Sequence, residues 1–134
     1  MPEIADGSID LLIAADVLEH VPDHMQGMRE IHRVLSAGGT AILTVPQGDN
    51  LEKTWGDPTV TDPAQRERLF GQADHVRIFG SDMPELLRSV GFNVRVISEQ
   101  DFPPELVRKY VLLPPVLSTR PLATNYRKVF FAQK

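Results

Sequence analysis

The sequence contains no cysteine. This absence excludes disulfides, thiolate zinc sites, iron–sulfur clusters and cysteine nucleophiles, and it fits a reducing cytoplasm. Basic residues are also few, because 14 Lys and Arg stand against 18 Asp and Glu, for a formal net charge of −4. We therefore expect a cytoplasmic protein without a nucleic-acid-binding face.

Long apolar runs are missing as well. No window reaches the roughly 18 uncharged apolar residues that a membrane span needs. The first residues, Met1 to Asp6, lack a basic stretch followed by an apolar one, so we expect no signal peptide and no membrane partner. What is present is a chain of 134 residues, 42% of them hydrophobic, which predicts one globular domain with an adequate core.

Apolar periodicity in the first third predicts a βαβ unit. The run Ile9–Ala15 is almost entirely apolar, which is typical of a parallel strand buried on both faces. Apolar residues at helical spacing between Asp23 and Leu35 predict an amphipathic helix, with Asp23 as its N-cap and Gly38-Gly39 as its exit. A second β-rich run covers residues 40–46, so strand, helix and strand follow one another directly.

The rest of the chain alternates loops with short elements. Residues 47–60 show no apolar period and contain glycine and proline, which predicts a loop. A Pro-rich connection spans residues 101–125. The further predicted elements are helices over residues 63–71, 82–90 and 105–112, a half-buried strand over 92–98 and a last strand over 126–132.

Two stretches resemble the class I S-adenosylmethionine-dependent methyltransferases. Residues 6–21, DGSIDLLIAADVLEHV, are similar to that family's pattern for its fourth strand and the following loop. Residues 29–40, REIHRVLSAGGT, are similar to the helix and Gly-Gly turn before its fifth strand. Residues 70–80, FGQADHVRIFG, are similar to a motif of one bacterial subset. The resemblance implies an α/β fold with a partial Rossmann-like methyltransferase sheet. Its βαβ unit resembles strands 4 and 5, and helices and a C-terminal antiparallel strand pair follow.

One part of the family pattern is absent. These enzymes hold the cofactor on a Gly-rich turn after their first strand, where a Cβ would block the approach of the backbone to the ligand. The nine glycines here include no pair separated by one residue. No strands like the family's first three precede residue 9. The resemblance therefore implies a C-terminal half that supplies one wall of the cofactor crevice, and we expect residues 1–134 to form a single truncated domain.

The resemblance also implies the site residues, because ligands in open α/β sheets bind at the carboxyl ends of strands where strand order reverses. The implied cofactor is S-adenosylmethionine, bound if the missing half is supplied. His20 and His75 are the catalytic candidates, since imidazole titrates near neutral pH. The cofactor-binding candidates are Ala14, Ala15, Asp16, Val17 and His20, and the substrate-binding candidates are Glu19, Trp55, Gln72, Asp74, His75 and Arg77.

Several candidates have a structural alternative. His20 can instead orient its own loop, and Trp55 can either cover an acceptor pocket or anchor the loop that carries it. Asp74, His75 and Arg77 fit a substrate-facing role and an internal hydrogen-bond network equally well. These alternatives stay open at the level of the sequence.

A metal site is the other chemistry to consider. The histidines His20 and His24 stand near Glu19 and Asp23, but Pro22 interrupts any regular helical pairing and no further ligand has a suggestive spacing. We therefore expect no metal.

Two functions remain open. The first is methyl transfer to an unidentified small-molecule acceptor, by a chain that is incomplete or inactive in isolation. The second is a non-catalytic half-domain that acts as a dimerisation or interaction module. Without the first three strands of the family, strand Ile9–Ala15 would lie at a sheet edge with unpaired backbone groups. The second function predicts a homodimer, formed by pairing of that edge or by exchange of a segment.

Overall fold

Four strands and four α-helices make up the fold in the computed structural model, which describes all of residues 1–134. The strands are β1 (Ile9–Ala15), β2 (Leu35–Thr44), β3 (Asn93–Ile97) and β4 (Val129–Gln133). The helices are α1 (His24–Val34), α2 (Pro63–Phe70), α3 (Met83–Ser89) and α4 (Pro104–Tyr110), and one turn of 3-10 helix covers Glu99–Asp101.

The strands form one mixed sheet in the order β1-β2-β4-β3. β1 and β2 pair in parallel across α1, so the predicted βαβ unit is confirmed. β4 lies between β2 and β3 and is antiparallel to both. The expected α/β fold, with its antiparallel strand pair at the C-terminal end, is therefore confirmed.

The core lies on one face of this sheet, under α1 and α3. Alternate residues of β2, such as Ala41 and Leu43, are fully buried, as the two-residue period of a strand requires. Met28 of α1, Leu87 of α3 and Phe130 of β4 belong to the same cluster and have no exposed surface. Burial of these side chains is the main favourable contribution to the stability of the fold.

The prediction that β1 is buried on both faces is wrong. β1 lies at the edge of the sheet, where the side chains of Leu11 and Ile13 are 57% and 66% exposed. Leu12 and Ala14, on the other face, pack against the core. Apolar composition cannot distinguish a covered face from an open one, because coverage depends on other elements. The edge position itself agrees with the sequence analysis.

The Gly-Gly pair does not end α1, as had been expected. The helix ends at Val34, and β2 begins directly at Leu35. Gly38 has φ of 79° inside β2, where the register with β1 shifts. Its N–H donates to the carbonyl oxygen of Lys134 at 3.0 Å. The Gly-Gly pair therefore forms a bend within β2, where this strand pairs with the C-terminal end of the chain.

The start of α1 and both ends of α2 lie where the capping residues in the sequence predict them. The Asp23 side chain caps α1 by accepting from the N–H of Gln26, and the Asp62 side chain caps α2 by accepting from Gln65. Gly71 ends α2 with φ of 96°. None of the helices combines the length and the hydropathy that a membrane crossing requires.

Candidate functional site

The first residue after β1 is fixed from several sides. The N–H of Asp16 donates to the carbonyl oxygen of Thr44 at 3.0 Å and to its hydroxyl at 3.2 Å. The Asp16 carboxylate accepts from the Thr44 hydroxyl at 3.2 Å and pairs with the Arg127 guanidinium at 2.9 Å. Asp16 has φ of 52°, a conformation that costs a non-glycine residue about 1–3 kcal/mol and needs such support. The loop therefore leaves β1 in a defined direction.

Glu19 is the most unusual residue of this loop. Its carboxylate is fully buried, and neither oxygen has a hydrogen-bond partner. Burial raises the pKa of Glu19 above its ordinary value, because an ionised carboxylate is costly away from water. Its backbone carbonyl accepts from the N–H of Val76 at 3.0 Å, which joins the loop after β1 to the segment after α2. A buried acid without a donor needs an explanation.

Two histidines lie beside this carboxylate. The rings of His20 and His75 meet edge to face, with centroids 4.8 Å apart. His20 Nε2 lies 3.9 Å from Glu19 Oε1, and His20 Nδ1 lies 3.3 Å from Asp74 Oδ2. His75 is buried, and its Nδ1 is 2.9 Å from the carbonyl oxygen of Phe70. Because a carbonyl only accepts, His75 Nδ1 carries a proton, and the lone pair of the neutral ring is on Nε2.

Glu19, His20 and His75 together form one compact group, which we call the Glu-His-His cluster. Each of the three residues offers one ligand-type atom, and these atoms all lie within 4.8 Å of one another. His24 is outside the cluster, because its ring packs edge to face against Phe79 at 5.8 Å. His24 is close to His20 in sequence, whereas His75, the other catalytic candidate, is the histidine that lies beside His20 in the fold.

Two clefts adjoin these residues. His75 and Gln72 line a largely polar cleft of about 540 Å³, together with Arg127. A second, apolar cleft of about 610 Å³ runs along β1 and α1, and Ala14 and Val17 contribute to its wall. Two of the predicted cofactor-side residues, Ala14 and Val17, and two of the predicted acceptor-side residues, Gln72 and His75, thus line different clefts.

Arg77 supports the loop from below. Its guanidinium is buried and donates to the carbonyl oxygens of Leu18 and Pro22, each at 2.8 Å, and to that of Val21. Burial lowers the pKa of Arg77, with Asp23 and Glu19 acting against the shift. Of the two interpretations given for this residue, the internal hydrogen-bond network describes its contacts.

Trp55 holds its own loop to the rest of the chain. Its backbone exchanges hydrogen bonds with Ile78 at 2.9 and 3.0 Å, and its ring packs on Phe70 at 5.1 Å. The ring is 41% exposed. These contacts describe an anchor at this position.

The structure brings four of the predicted site residues together. Glu19, His20, Asp74 and His75 are neighbours, although 54 residues separate His20 from Asp74. Arg127 was not among the predicted site residues, yet it pairs with Asp16 across 111 positions and lines the His75 cleft. No local pattern marks Arg127, so only the fold reveals it.

Comparison with known proteins finds a family match in the segment that contains Glu19 and His20. Residues 1–43 match the family described as "Methyltransferase domain". This match covers β1, the loop with Glu19 and His20, α1 and most of β2. A curated relative, an uncharacterized 37.1 kDa protein in a transposon of Streptomyces fradiae, is 30% identical over 94 residues. Those residues are 70% of this chain and 27% of that protein.

Solved structures extend the likeness to the whole chain. An S-adenosylmethionine-dependent methyltransferase from Mesorhizobium loti matches with a TM-score of 0.60 at 18% identity, over 98% of this chain and 64% of that one. The 1,6-didemethyltoxoflavin-N1-methyltransferase of Burkholderia thailandensis matches with a TM-score of 0.56 at 19% identity, over 97% of this chain and 45% of that one. The resemblance to the class I methyltransferases is confirmed.

This methyltransferase-like chain is shorter than the proteins it matches. It spans about a quarter of the length of its curated relative and between about half and two thirds of the two methyltransferase structures. At identities below a fifth, those structures establish the fold and leave the reaction open. The Burkholderia thailandensis structure contains bound 1,6-didemethyltoxoflavin and S-adenosylhomocysteine.

Proposed function

We propose that the chain forms the acceptor-side part of an S-adenosylmethionine-dependent methyltransferase. The observation that carries this proposal is the family match over residues 1–43, which falls on the strand, loop and helix that hold Asp16, Glu19 and His20. These side chains lie beyond the carboxyl end of a parallel strand, where open α/β sheets bind their ligands. A cytoplasmic location belongs to the same proposal, since a chain without cysteine suits a reducing compartment.

The apolar cleft along β1 fits one wall of this cofactor. Ala14 and Val17 have short apolar side chains there, which leave room for a ligand beside the strand. When bound, S-adenosylmethionine supplies an electrophilic methyl group on a sulfonium. In this chain, the residues that would contact the cofactor are Ala14, Ala15, Asp16, Val17 and His20. The opposite wall of the crevice would be formed by a segment such as the additional length of the larger relatives.

The polar cleft beside His75 would take the acceptor. Its volume of about 540 Å³ is within the range of small-molecule sites, and Gln72 supplies a polar group at its wall. His75 presents Nε2 with a lone pair, because its Nδ1 proton is engaged by Phe70. His20 is partly exposed and its ring contacts that of His75, so it is the second imidazole near this cleft. In methyl transfer most of the chain's contribution is positioning, with proton removal needed only for acceptors that lose one.

Ligand-linked stabilisation tests this proposal on the chain as it stands. A ligand that binds the native state at one hundred times its dissociation constant stabilises it by about 2.7 kcal/mol. We expect S-adenosylmethionine and S-adenosylhomocysteine at millimolar concentration to raise the melting temperature, and adenosine with methionine, as separate compounds, to raise it less. Val17→Asp, which places a charge on the wall of the apolar cleft, should remove the effect. An unchanged melting temperature with both ligands would contradict cofactor binding by this chain.

A second function is favoured by the open edge of the sheet. β1 has a neighbouring strand on one side only, and its outer face carries the exposed side chains of Leu11 and Ile13. Parallel sheets are ordinarily covered on both faces, so this surface invites a partner. We propose a homodimer through β1, by edge pairing or by exchange of a segment, as the function of the chain if it does not bind the cofactor.

A further inference from the structure

We propose that the Glu-His-His cluster is a binding site for a divalent first-row transition-metal ion, with Glu19, His20 and His75 as its protein ligands. The residues present one carboxylate and two imidazoles from the loop after β1 and the segment after α2. This donor set is that of catalytic zinc sites with two histidines and one glutamate, and of two-histidine-one-carboxylate iron sites. The inference goes beyond methyl transfer and does not depend on cofactor binding.

The buried carboxylate is the strongest support. Both oxygens of Glu19 are removed from water and accept no hydrogen bond. A carboxylate in such a position is stabilised by a proton, by a donor or by a cation. No group of the chain lies within hydrogen-bonding geometry of either oxygen, whereas two imidazole rings stand next to the carboxylate. A metal ion at this point would satisfy the carboxylate and both rings at once.

The imidazoles are already held in the way that metal ligands are held. In known sites a ligating histidine donates its second ring N–H to a carbonyl or a carboxylate, which fixes the tautomer and the ring orientation. His75 Nδ1 donates to the carbonyl of Phe70 at 2.9 Å. His20 Nδ1 lies 3.3 Å from the Asp74 carboxylate, which leaves Nε2 on the side of Glu19. Both rings therefore have Nε2 free for a ligand.

The geometry needs a modest contraction. Ligand atoms bonded to zinc at 2.0–2.1 Å in a tetrahedron lie about 3.3 Å apart, so the widest pair here must close by about 1.5 Å. His20 Nε2 and Glu19 Oε1 are already at 3.9 Å. The His20 side chain is 36% exposed and can move, whereas the other two side chains are buried. Three protein ligands leave at least one coordination position for a further ligand, such as an acceptor oxygen.

Metal titration of the purified chain, without a histidine tag, tests the site. We expect calorimetry to show one Zn²⁺ per chain, and Co²⁺ to give the visible d–d absorption of a low-coordinate site. Glu19→Gln keeps the shape of the side chain but removes its charge, and should weaken Zn²⁺ binding by about 100-fold or more, since loss of outer-shell partners alone typically costs 10–100-fold. Asp74→Asn, which alters only the support of His20, should weaken it by about 10-fold.

Other variants keep the test decisive. His75→Asn removes Nε2 while its amide can still donate to Phe70, and should abolish binding even if Glu19→Gln does not fold. His24→Asn and His32→Asn remove histidines outside the cluster and should leave the affinity unchanged. The proposal is overturned if no Zn²⁺, Co²⁺ or Mn²⁺ binds at about 100 µM, a concentration above typical site dissociation constants. It is also overturned if Mg²⁺ alone binds, or if Zn²⁺ binding survives Glu19→Gln or His75→Asn.

Discussion

The Arg77 guanidinium lies beneath the loop that follows β1 and donates to the carbonyl oxygen of Leu18 at 2.8 Å. The same group donates to the carbonyls of Val21 and Pro22, so one buried cation fixes the backbone on both sides of Glu19 and His20. Arg77 is therefore a positioning residue for the candidate site, although it is not itself a lining residue of the Ala14 cleft or of the His75 cleft.

Replacing Arg77 with methionine should loosen this loop. The variant retains apolar bulk but leaves three backbone carbonyls without their donor, and hydrogen bonds to a charged group contribute about 1.5–3 kcal/mol each before the cost of burying that charge is subtracted. We expect a net loss of about 3 kcal/mol in the free energy of unfolding, measured by urea denaturation. Arg29→Met, at an exposed position of α1, is the control and should change stability by less than about 0.5 kcal/mol. Equal effects of the two variants would contradict a supporting role for Arg77.

Gly80 should be intolerant of any side chain. A Cβ at this position would lie 2.5 Å from the carbonyl carbon of Lys53 and 2.8 Å from the N atom of Thr54, and backbone cannot move aside as a flexible side chain can. Gly80→Ala should therefore destabilise the fold by about 2–4 kcal/mol, as overpacking at a constrained site does. At Gly71 a Cβ would meet nothing within 4 Å, so Gly71→Ala carries only the cost of its positive φ, about 1–2 kcal/mol. Melting temperatures of the two variants check this order, and the reverse order would show that the contact with residues 53–54 is not formed.

These two glycines also show what the sequence can and cannot predict. Gly71 ends a short helix whose start is marked by Asp62 as N-cap and Pro63 at the first helical position, and these residues suffice to predict both ends of α2. Gly80 has no local signature, because its constraint comes from backbone 26 positions earlier. Local conformational preferences depend on adjacent residues, whereas close approach between distant segments depends on the completed fold.

The same distinction between local and long-range features applies to the candidate site. His20 was identifiable because the residues around it resemble a known pattern, and the structure places it at the expected end of β1. His75 was the second catalytic candidate, but its ring contact with His20 could not be predicted, since that contact depends on how the segment after α2 folds back over the loop. The sequence also could not predict that the Glu19 carboxylate would be buried without a hydrogen bond, because burial depends on all the residues packed around a side chain. The apolar run of β1 gave its position but not the exposure of Ile13.

Acid should weaken the fold through Glu30. The Arg33 guanidinium donates to both carboxylate oxygens of Glu30 at 3.0 Å, and the N-terminal ammonium of Met1 donates to one of them at 3.1 Å. These hydrogen bonds, those from Arg33 most of all, lower the pKa of Glu30 from 4.5 to about 2. The unfolded chain therefore takes up this proton first as the pH falls. The stabilisation is complete above about pH 4.5 and is lost as the pH falls through the folded-state pKa of about 2.

Comparing Glu30→Gln with the wild type isolates that contribution. The difference between their urea midpoints should be constant between about pH 7 and pH 6 and should shrink steadily below about pH 4.5, because the wild type alone loses the ionised pair. Glu105→Gln, at an exposed position of α4, provides the matched control, with a difference that stays constant. If the Glu30→Gln difference also stays constant down to about pH 3, the hydrogen bonds from Arg33 do not form in solution.

The open edge of β1 makes a prediction about assembly. An edge strand with exposed Leu11 and Ile13 pairs readily with another strand, and a lysine on such a strand is a common device against pairing, because its charge would have to be buried. We expect the wild-type chain at tens of micromolar to show twice the mass of one chain in light scattering, and Ile13→Lys to show the mass of a monomer. Val116→Lys places the same charge at a position that is 83% exposed in the Pro-rich segment, and it should leave the dimer intact. A monomeric wild type would refute the homodimer. A dimer that persists in Ile13→Lys would show that the interface does not involve β1. Since the same strand adjoins the apolar cleft proposed for the cofactor, a dimer that dissociates when S-adenosylhomocysteine is added would show that partner and ligand compete for one surface.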